Sequence, residues 1–144
     1  ELTGNISHDG PNHEKMVSLR QEKVERIANY IPELEVVGNK DAELLVVGWG
    51  GTYGHLYTAV EELNKEGRKV ALAHFNYINP LPKNTGELFP RYKKIVVCEL
   101  NMGQLAGFLR MKHPQFNYSQ YNKVQGQPFT VEELKSRFVK LLES

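Results

Sequence analysis

Residues able to do chemistry gather in two stretches of this sequence, each following a short apolar run. The first is Gly48-Trp49-Gly50-Gly51-Thr52-Tyr53-Gly54. A glycine-rich turn feeding a helix presents free backbone N–H groups and the positive end of the helix dipole, and together these can hold an anion. Gly50, Gly51, Thr52 and Gly54 are therefore the candidate cofactor-binding residues, for a phosphate or a phosphate-bearing coenzyme. The dinucleotide fingerprint fails, because Tyr53 stands where the third glycine belongs and His74-Phe75-Asn76 replaces the acid expected after the second strand. No Lys-Ser/Thr pair follows the glycines, so a P-loop is excluded. The favoured reading is structural: a tight turn, close helix–strand packing and Thr52 as an N-cap.

The second stretch is Glu99-Leu100-Asn101-Met102-Gly103-Gln104, an acid at the end of an apolar run with polar residues at the start of a helix. Set beside His74, Glu99 would make a general acid–base pair. Neither a nucleophile nor a metal set completes such a site, so Glu99 reads as a helix cap or an interface ion-pair partner, and no catalytic residue is assigned. Glu99, Asn101 and Gln104 are grouped with Asn122, Lys123 and Gln125 as an expected interface or site edge, the latter three from the polar stretch Tyr118 to Phe129. The five histidines (His8, His13, His55, His74, His113) show no zinc spacing. Cys98 lies in an apolar run and reads as an inert buried thiol. Gly103 and Gly107, four apart, share a helix face suited to close backbone approach.

Positioning these turns needs strands and helices in alternation. Leu44 to Val47, Val70 to Phe75 and Lys94 to Leu100 are near-continuous apolar runs, the pattern of strands buried on both faces. A helix with Leu56, Ala59, Val60 and Leu63 on one side closes at Gly67. Asn79-Pro80-Leu81-Pro82 makes a rigid turn before a short helix around Gly86 to Phe89. Leu105, Phe108 and Leu109 mark the next helix, ended by His113-Pro114, and Asn117 to Tyr121 reads as a fourth, polar strand. Thr130-Val131-Glu132-Glu133 is a capping box opening a last helix that buries Leu134, Phe138, Leu141 and Leu142. Before all of these, Asp9 or Gly10 with Pro11 opens an amphipathic helix carrying Val17, Val24, Ile27 and Ile31, which Pro32 terminates. The fold class is α/β, a three-layer sandwich with a mainly parallel sheet. Residues 1–38 are expected to be an interdomain linker with its helix, and 39–144 the domain proper. Glu1 to Pro11 reads as linker, and a start at Glu1 rather than methionine suits a piece of a longer protein.

Composition narrows the partners. The 144 residues carry 18 Lys plus Arg against 17 Asp plus Glu, a formal charge of +1, which argues against a dedicated nucleic-acid binder. No apolar run is long enough to span a bilayer and no signal-peptide pattern opens the sequence, so no membrane partner is expected. A single cysteine rules out an intrachain disulfide and suits a reducing, cytoplasmic setting. A domain of this length buries about 68–70% of its unfolded surface without staples.

Five ordered segments resemble one family. Asn12-His13-Glu14 with Met16 and the helix through Arg20, Lys23 and Ile27, then Gly50-Gly51-Thr52-Tyr53-Gly54, then Asn79-Pro80-Leu81-Pro82-Lys83-Asn84 are similar to parts of the alpha subunit of 2-oxoglutarate:ferredoxin oxidoreductases. Glu99 to Leu105 and Tyr121 to Phe129 are the most specific matches. The resemblance implies a transketolase carboxy-terminal-like fold and a parent complex that decarboxylates a 2-oxoacid on thiamine diphosphate with magnesium. That complex passes electrons through an iron–sulfur cluster to ferredoxin and hands the acyl group to coenzyme A. It implies as partners the preceding domain of the same subunit and the beta subunit. No cofactor is expected within this chain, because the family's active-site residues have no positions here to be carried onto. The chain is then an assembly domain, inactive alone, that shapes the approach of substrate or coenzyme A; the alternative is a phosphate- or coenzyme-binding module built on Gly50 to Gly54. The preferred 2-oxoacid and the oligomeric state of the isolated chain are not legible.

Overall fold

The computed structural model describes residues 4–144, so the first three residues of the expected linker lie outside the described residues. The elements run α1 (Gly10–Ile27), β1 (Val36–Gly38), β2 (Leu44–Trp49), α2 (Tyr53–Lys65), β3 (Val70–Phe75), α3 (Thr85–Leu88), β4 (Lys94–Glu99), α4 (Gln104–Lys112), β5 (Tyr118–Asn122) and α5 (Val131–Glu143). The sheet order is β1-β3-β2-β4-β5. All neighbours are parallel except β1, which runs antiparallel to β3 with Val36 opposite Ala73. β1 has no counterpart among the expected strands, since a three-residue edge strand carries too little apolar pattern to register.

The period-two alternation of the strands divides the core. Leu45, Val47, Ala71, Ala73, Phe75, Ile95 and Val97 face α3 and α4, where Phe89, Leu105 and Leu109 close over them. Leu44, Val46, Val70, Leu72, Val96 and Cys98 face α2 and α5, covered by Leu56, Leu63, Leu134 and Phe138. Three layers result, as the sequence pattern requires. Side chains such as Phe138, fully buried, each contribute about 1.5–3 kcal/mol of burial. The capping box is made in full: Glu133 N donates to Thr130 Oγ1 at 3.2 Å and Thr130 N donates to Glu133 Oε1 at 2.9 Å.

α1 differs from the other helices. Asp9 caps it by accepting from Asn12 N at 3.0 Å, and Pro11 sits in its first turn. It stops at Ile27 rather than continuing to Pro32. Ala28, Asn29 and Tyr30 donate to carbonyls three residues back, so the helix tightens and unwinds before the proline is reached. No residue of α1 is buried, and Val17, Leu19 and Ile27 keep 48%, 45% and 43% of their surface exposed.

Candidate functional site

In open parallel α/β sheets, ligands bind beyond the carboxyl ends of the strands, above all where successive connections leave to opposite faces. Here that place lies between β2 and β4: α2 leaves β2 toward one face and α4 leaves β4 toward the other. A bond within the protein bridges this crevice. Trp49 Nε1, at the end of β2, donates to Glu99 Oε1, at the end of β4, at 3.0 Å. The same carboxyl accepts from Leu105 N at 2.7 Å and, through Oε2, from Ala106 N at 3.1 Å. Glu99 is fully buried, so each of these bonds replaces water that the carboxyl lost. It pins the first turn of α4 where the helix dipole favours an acid.

The acid–base pair with His74 is not formed. Glu99 follows Val97 in the alternation and lies on the α4 side of the sheet, His74 follows Leu72 on the α2 side, and β2 stands between their strands. Every bond that the Glu99 carboxyl accepts comes from Trp49 or α4, whereas His74 Nε2 is buried with no hydrogen-bond partner.

The other residues of this edge are largely used within the chain. Asn101 Oδ1 accepts from Gly103 N at 2.7 Å and Gln104 N at 3.0 Å, turning the chain into α4. Gly103 has φ +97°, and a side chain there would come within 2.8 Å of Gln120. Lys123 Nζ pairs with Glu133 at 2.7 Å and donates to the Pro128 carbonyl at 2.9 Å, which ties the loop after β5 to the start of α5. Gln104, Asn122 and Gln125 stay exposed, beside exposed Leu100, Met102 and Val124. Gly107 meets nothing within 4 Å of an added Cβ, so it is Gly103 of the pair that makes the close approach.

The glycine turn corrects two expectations. Thr52 holds the N-cap position but does not cap α2: with φ −86° and ψ −10° it is already in the turn, and its Oγ1 donates back to the Trp49 carbonyl at 2.9 Å. The tight helix–strand approach falls at Gly48, where a Cβ would stand 2.3 Å from Leu56 Cδ1. Gly50 needs its φ of +63°, while around Gly51 and Gly54 the space is open. Beside Gly50 lies a cavity of about 640 Å³ between residues 32–35, the start of α2 and the end of β3, with Tyr53, His74 and Tyr77 in its wall. Burial pushes the His74 imidazole pKa below its ordinary value, against the opposing effect of a hydrogen bond to the Gly50 backbone. Neither Trp49 as a bridge nor the cavity had a signal in the sequence, because both depend on strands brought side by side from distant segments.

Cys98 is buried, and burial drives its thiol pKa far above the ordinary range. An iron–sulfur cluster needs several thiolates at one place, and the single buried Cys98 does not fit one. Among the described residues there is no group of three or more His, Cys, Asp or Glu that could hold a metal ion. No helix among the described residues is long and apolar enough to cross a membrane.

These features define a parallel α/β domain whose switch-point crevice is closed by its own side chains. Residues 42–134 match the model of the pyruvate:ferredoxin oxidoreductase core domain II, and the chain belongs to that family. It is 44% identical over 96% of its length to the 2-oxoglutarate oxidoreductase subunit KorA of Mycobacterium tuberculosis, of which it spans 21%. It is 32% identical over 91% of its length to the alpha subunit of 2-oxoacid:ferredoxin oxidoreductase 1 of Aeropyrum pernix, spanning 22% of that protein. A solved 2-oxoglutarate:ferredoxin oxidoreductase from Magnetococcus marinus, with 2-oxoglutarate, coenzyme A and succinyl-CoA bound, superposes with a TM-score of 0.86 at 29% identity, covering 96% of this chain and 24% of that one. The chain thus spans about a fifth of the length of the curated relatives it matches.

Proposed function

We infer that this chain serves as an assembly domain in the alpha subunit of a thiamine-diphosphate-dependent 2-oxoglutarate:ferredoxin oxidoreductase of the cytoplasm. The parent complex converts 2-oxoglutarate to succinyl-CoA, with ferredoxin as electron acceptor. The observation that carries the reading is α1, an amphipathic helix in which no residue is fully buried and Val17, Leu19 and Ile27 stay exposed. A stripe of this kind gains its burial against another body. Residues 1–38 then act as linker and docking helix to the preceding domain, and 39–144 as the docked unit. The exposed edge at Leu100, Met102, Gln104, Asn122, Val124 and Gln125 faces the beta subunit.

The test pairs two measurements on the double variant Val17→Ser with Ile27→Ser. In this chain alone its unfolding free energy stays within about 0.5 kcal/mol of wild type, as for surface changes away from any packed contact. In the complete alpha subunit the same variant lowers stability and the yield of alpha–beta complex in sedimentation runs. Turnover of 2-oxoglutarate by the 144-residue chain alone, supplied with thiamine diphosphate, coenzyme A and ferredoxin, would sink the reading. The open space at Gly51 and Gly54 favours, as a second reading, a phosphate or coenzyme module at the start of α2. Calorimetric titration with coenzyme A and with thiamine diphosphate tests it, and an absence of heat at millimolar ligand removes it.

A further inference from the structure

The cavity beside Gly50 has a wall of consistent chemistry. Glu33 and Glu35 line it, and neither has an ion-pair or hydrogen-bond partner among the described residues. Tyr53 and Tyr77 line it with 46% exposure each; Tyr53 is already stacked on Tyr57 and edge-on to His74, which leaves the remainder of its ring and that of Tyr77 exposed. His74 also lines the cavity, although its Nε2 is buried rather than presented to it. No lysine or arginine lies in the wall. Acceptors and ring faces are therefore concentrated, and cationic donors are missing.

An anion would meet two carboxylates here and no compensating cation, so phosphate groups are disfavoured. A cation gains on both counts: it pairs with carboxylates, and it is attracted to aromatic faces within about 6 Å by roughly 0.5–2 kcal/mol. Among cations the guanidinium suits the wall best. It is planar, stacks on rings, forks onto carboxylates and sheds water more readily than an ammonium. A cavity of about 640 Å³ is larger than one guanidinium, which leaves room for the chain on either side of it.

We propose that this cavity receives an arginine side chain carried on a peptide segment of a partner, held by Glu33 and Glu35 and stacked between Tyr53 and Tyr77. The proposal does not depend on the parent enzyme named above.

The 144-residue chain, with labelled histidine and tyrosine rings, is titrated by NMR with four probes. These are a capped Gly-Arg-Gly peptide, its lysine counterpart, its neutral citrulline counterpart and inorganic pyrophosphate. The arginine peptide is expected to shift the His74, Tyr53 and Tyr77 signals saturably, at least about tenfold more tightly than the citrulline peptide. The double variant Glu33→Gln with Glu35→Gln, at exposed positions that leave the fold intact, is expected to weaken that binding at least about tenfold. Equal titration by the citrulline peptide, unchanged binding by the double variant, or shifts produced only by pyrophosphate would overturn the proposal. An equal response to the lysine peptide would overturn the guanidinium assignment.

Discussion

Two turns at the carboxyl edge of one sheet meet at Trp49 and use their polar groups in opposite ways. In the turn after β4, the Glu99 carboxyl, the Asn101 amide oxygen and Gly103 are all consumed by the chain, and the acid is fully buried. Around the turn after β2, Gly51 and Gly54 lie open, and in the adjoining cavity Glu33 and Glu35 have no partner among the described residues, while His74 Nε2 is buried without a hydrogen bond. The first turn holds the fold together and the second is free to receive something. Residue type does not separate them, since each combines an acid or imidazole with glycines and a helix start. What separates them is whether backbone N–H groups already occupy the acceptors.

The comparison breaks first at Glu99. Replacing it by alanine leaves the Trp49 indole N–H and two α4 amides without acceptors in the interior, at about 1–3 kcal/mol for each unsatisfied group. Glu99→Ala is expected to lose at least about 3 kcal/mol in urea unfolding, or about 10 °C in Tm for a domain this size. Trp49→Phe removes one of the three donors, replaces the indole by a smaller aromatic ring, and should lose about 1 kcal/mol for the bond. A Glu99→Ala loss below that of Trp49→Phe would mean that the carboxyl is not the pin of this turn.

The glycines sharpen the contrast at smaller cost. Gly48→Ala forces a methyl to 2.3 Å from Leu56 Cδ1, an overpacking worth about 1–3 kcal/mol. Gly54→Ala, within α2 and facing open space, should stabilise by about 0.5–1 kcal/mol through helix propensity. Thermal melts of the two variants should move in opposite directions. If Gly54→Ala melts lower, something within the chain already fills that space.

The sequence carried the layers more fully than the site. Leu44 to Val47 and Val70 to Phe75 announce buried parallel strands because both faces are covered, and Thr130 with Glu133 announces a helix start because the capping contact is local. The carboxyl of Glu99 was legible as a helix cap for the same reason: its acceptors reach only six and seven residues ahead. Trp49 to Glu99 spans 50 positions and exists only because β2 and β4 pair. Thr52 has the residue type of a cap without acting as one, because capping depends on φ and ψ, which the residue type does not declare. α1 carries an amphipathic pattern as far as Ile31, but none of its residues is fully buried, and its last turn tightens into three-residue bonds before Pro32 is reached.

The smallest expected effect lies with the imidazoles of the open region and its neighbour. Burial lowers the pKa of His74 and of His113, so the folded chain resists protonating them, while the unfolded chain takes up those protons at the ordinary value of 6.5. Below that value the unfolded state binds more protons than the folded one, and stability falls with pH until the folded-state pKa values are passed. The contribution is thus present above 6.5 and lost beneath it. Glu43 and Glu133, whose carboxyls are held below the ordinary 4.5 mainly by hydrogen bonds from Lys93 and Lys123, act in a separate and more acidic window. Urea midpoints measured across the histidine window should therefore slope downward toward acid in the wild type and flatten in His74→Gln with His113→Gln. Identical slopes would show that the loss comes from carboxylates instead. A slope removed by His113→Gln alone would mean that the imidazole beside the cavity is already free to protonate, and the second turn would then be more open than its burial suggests.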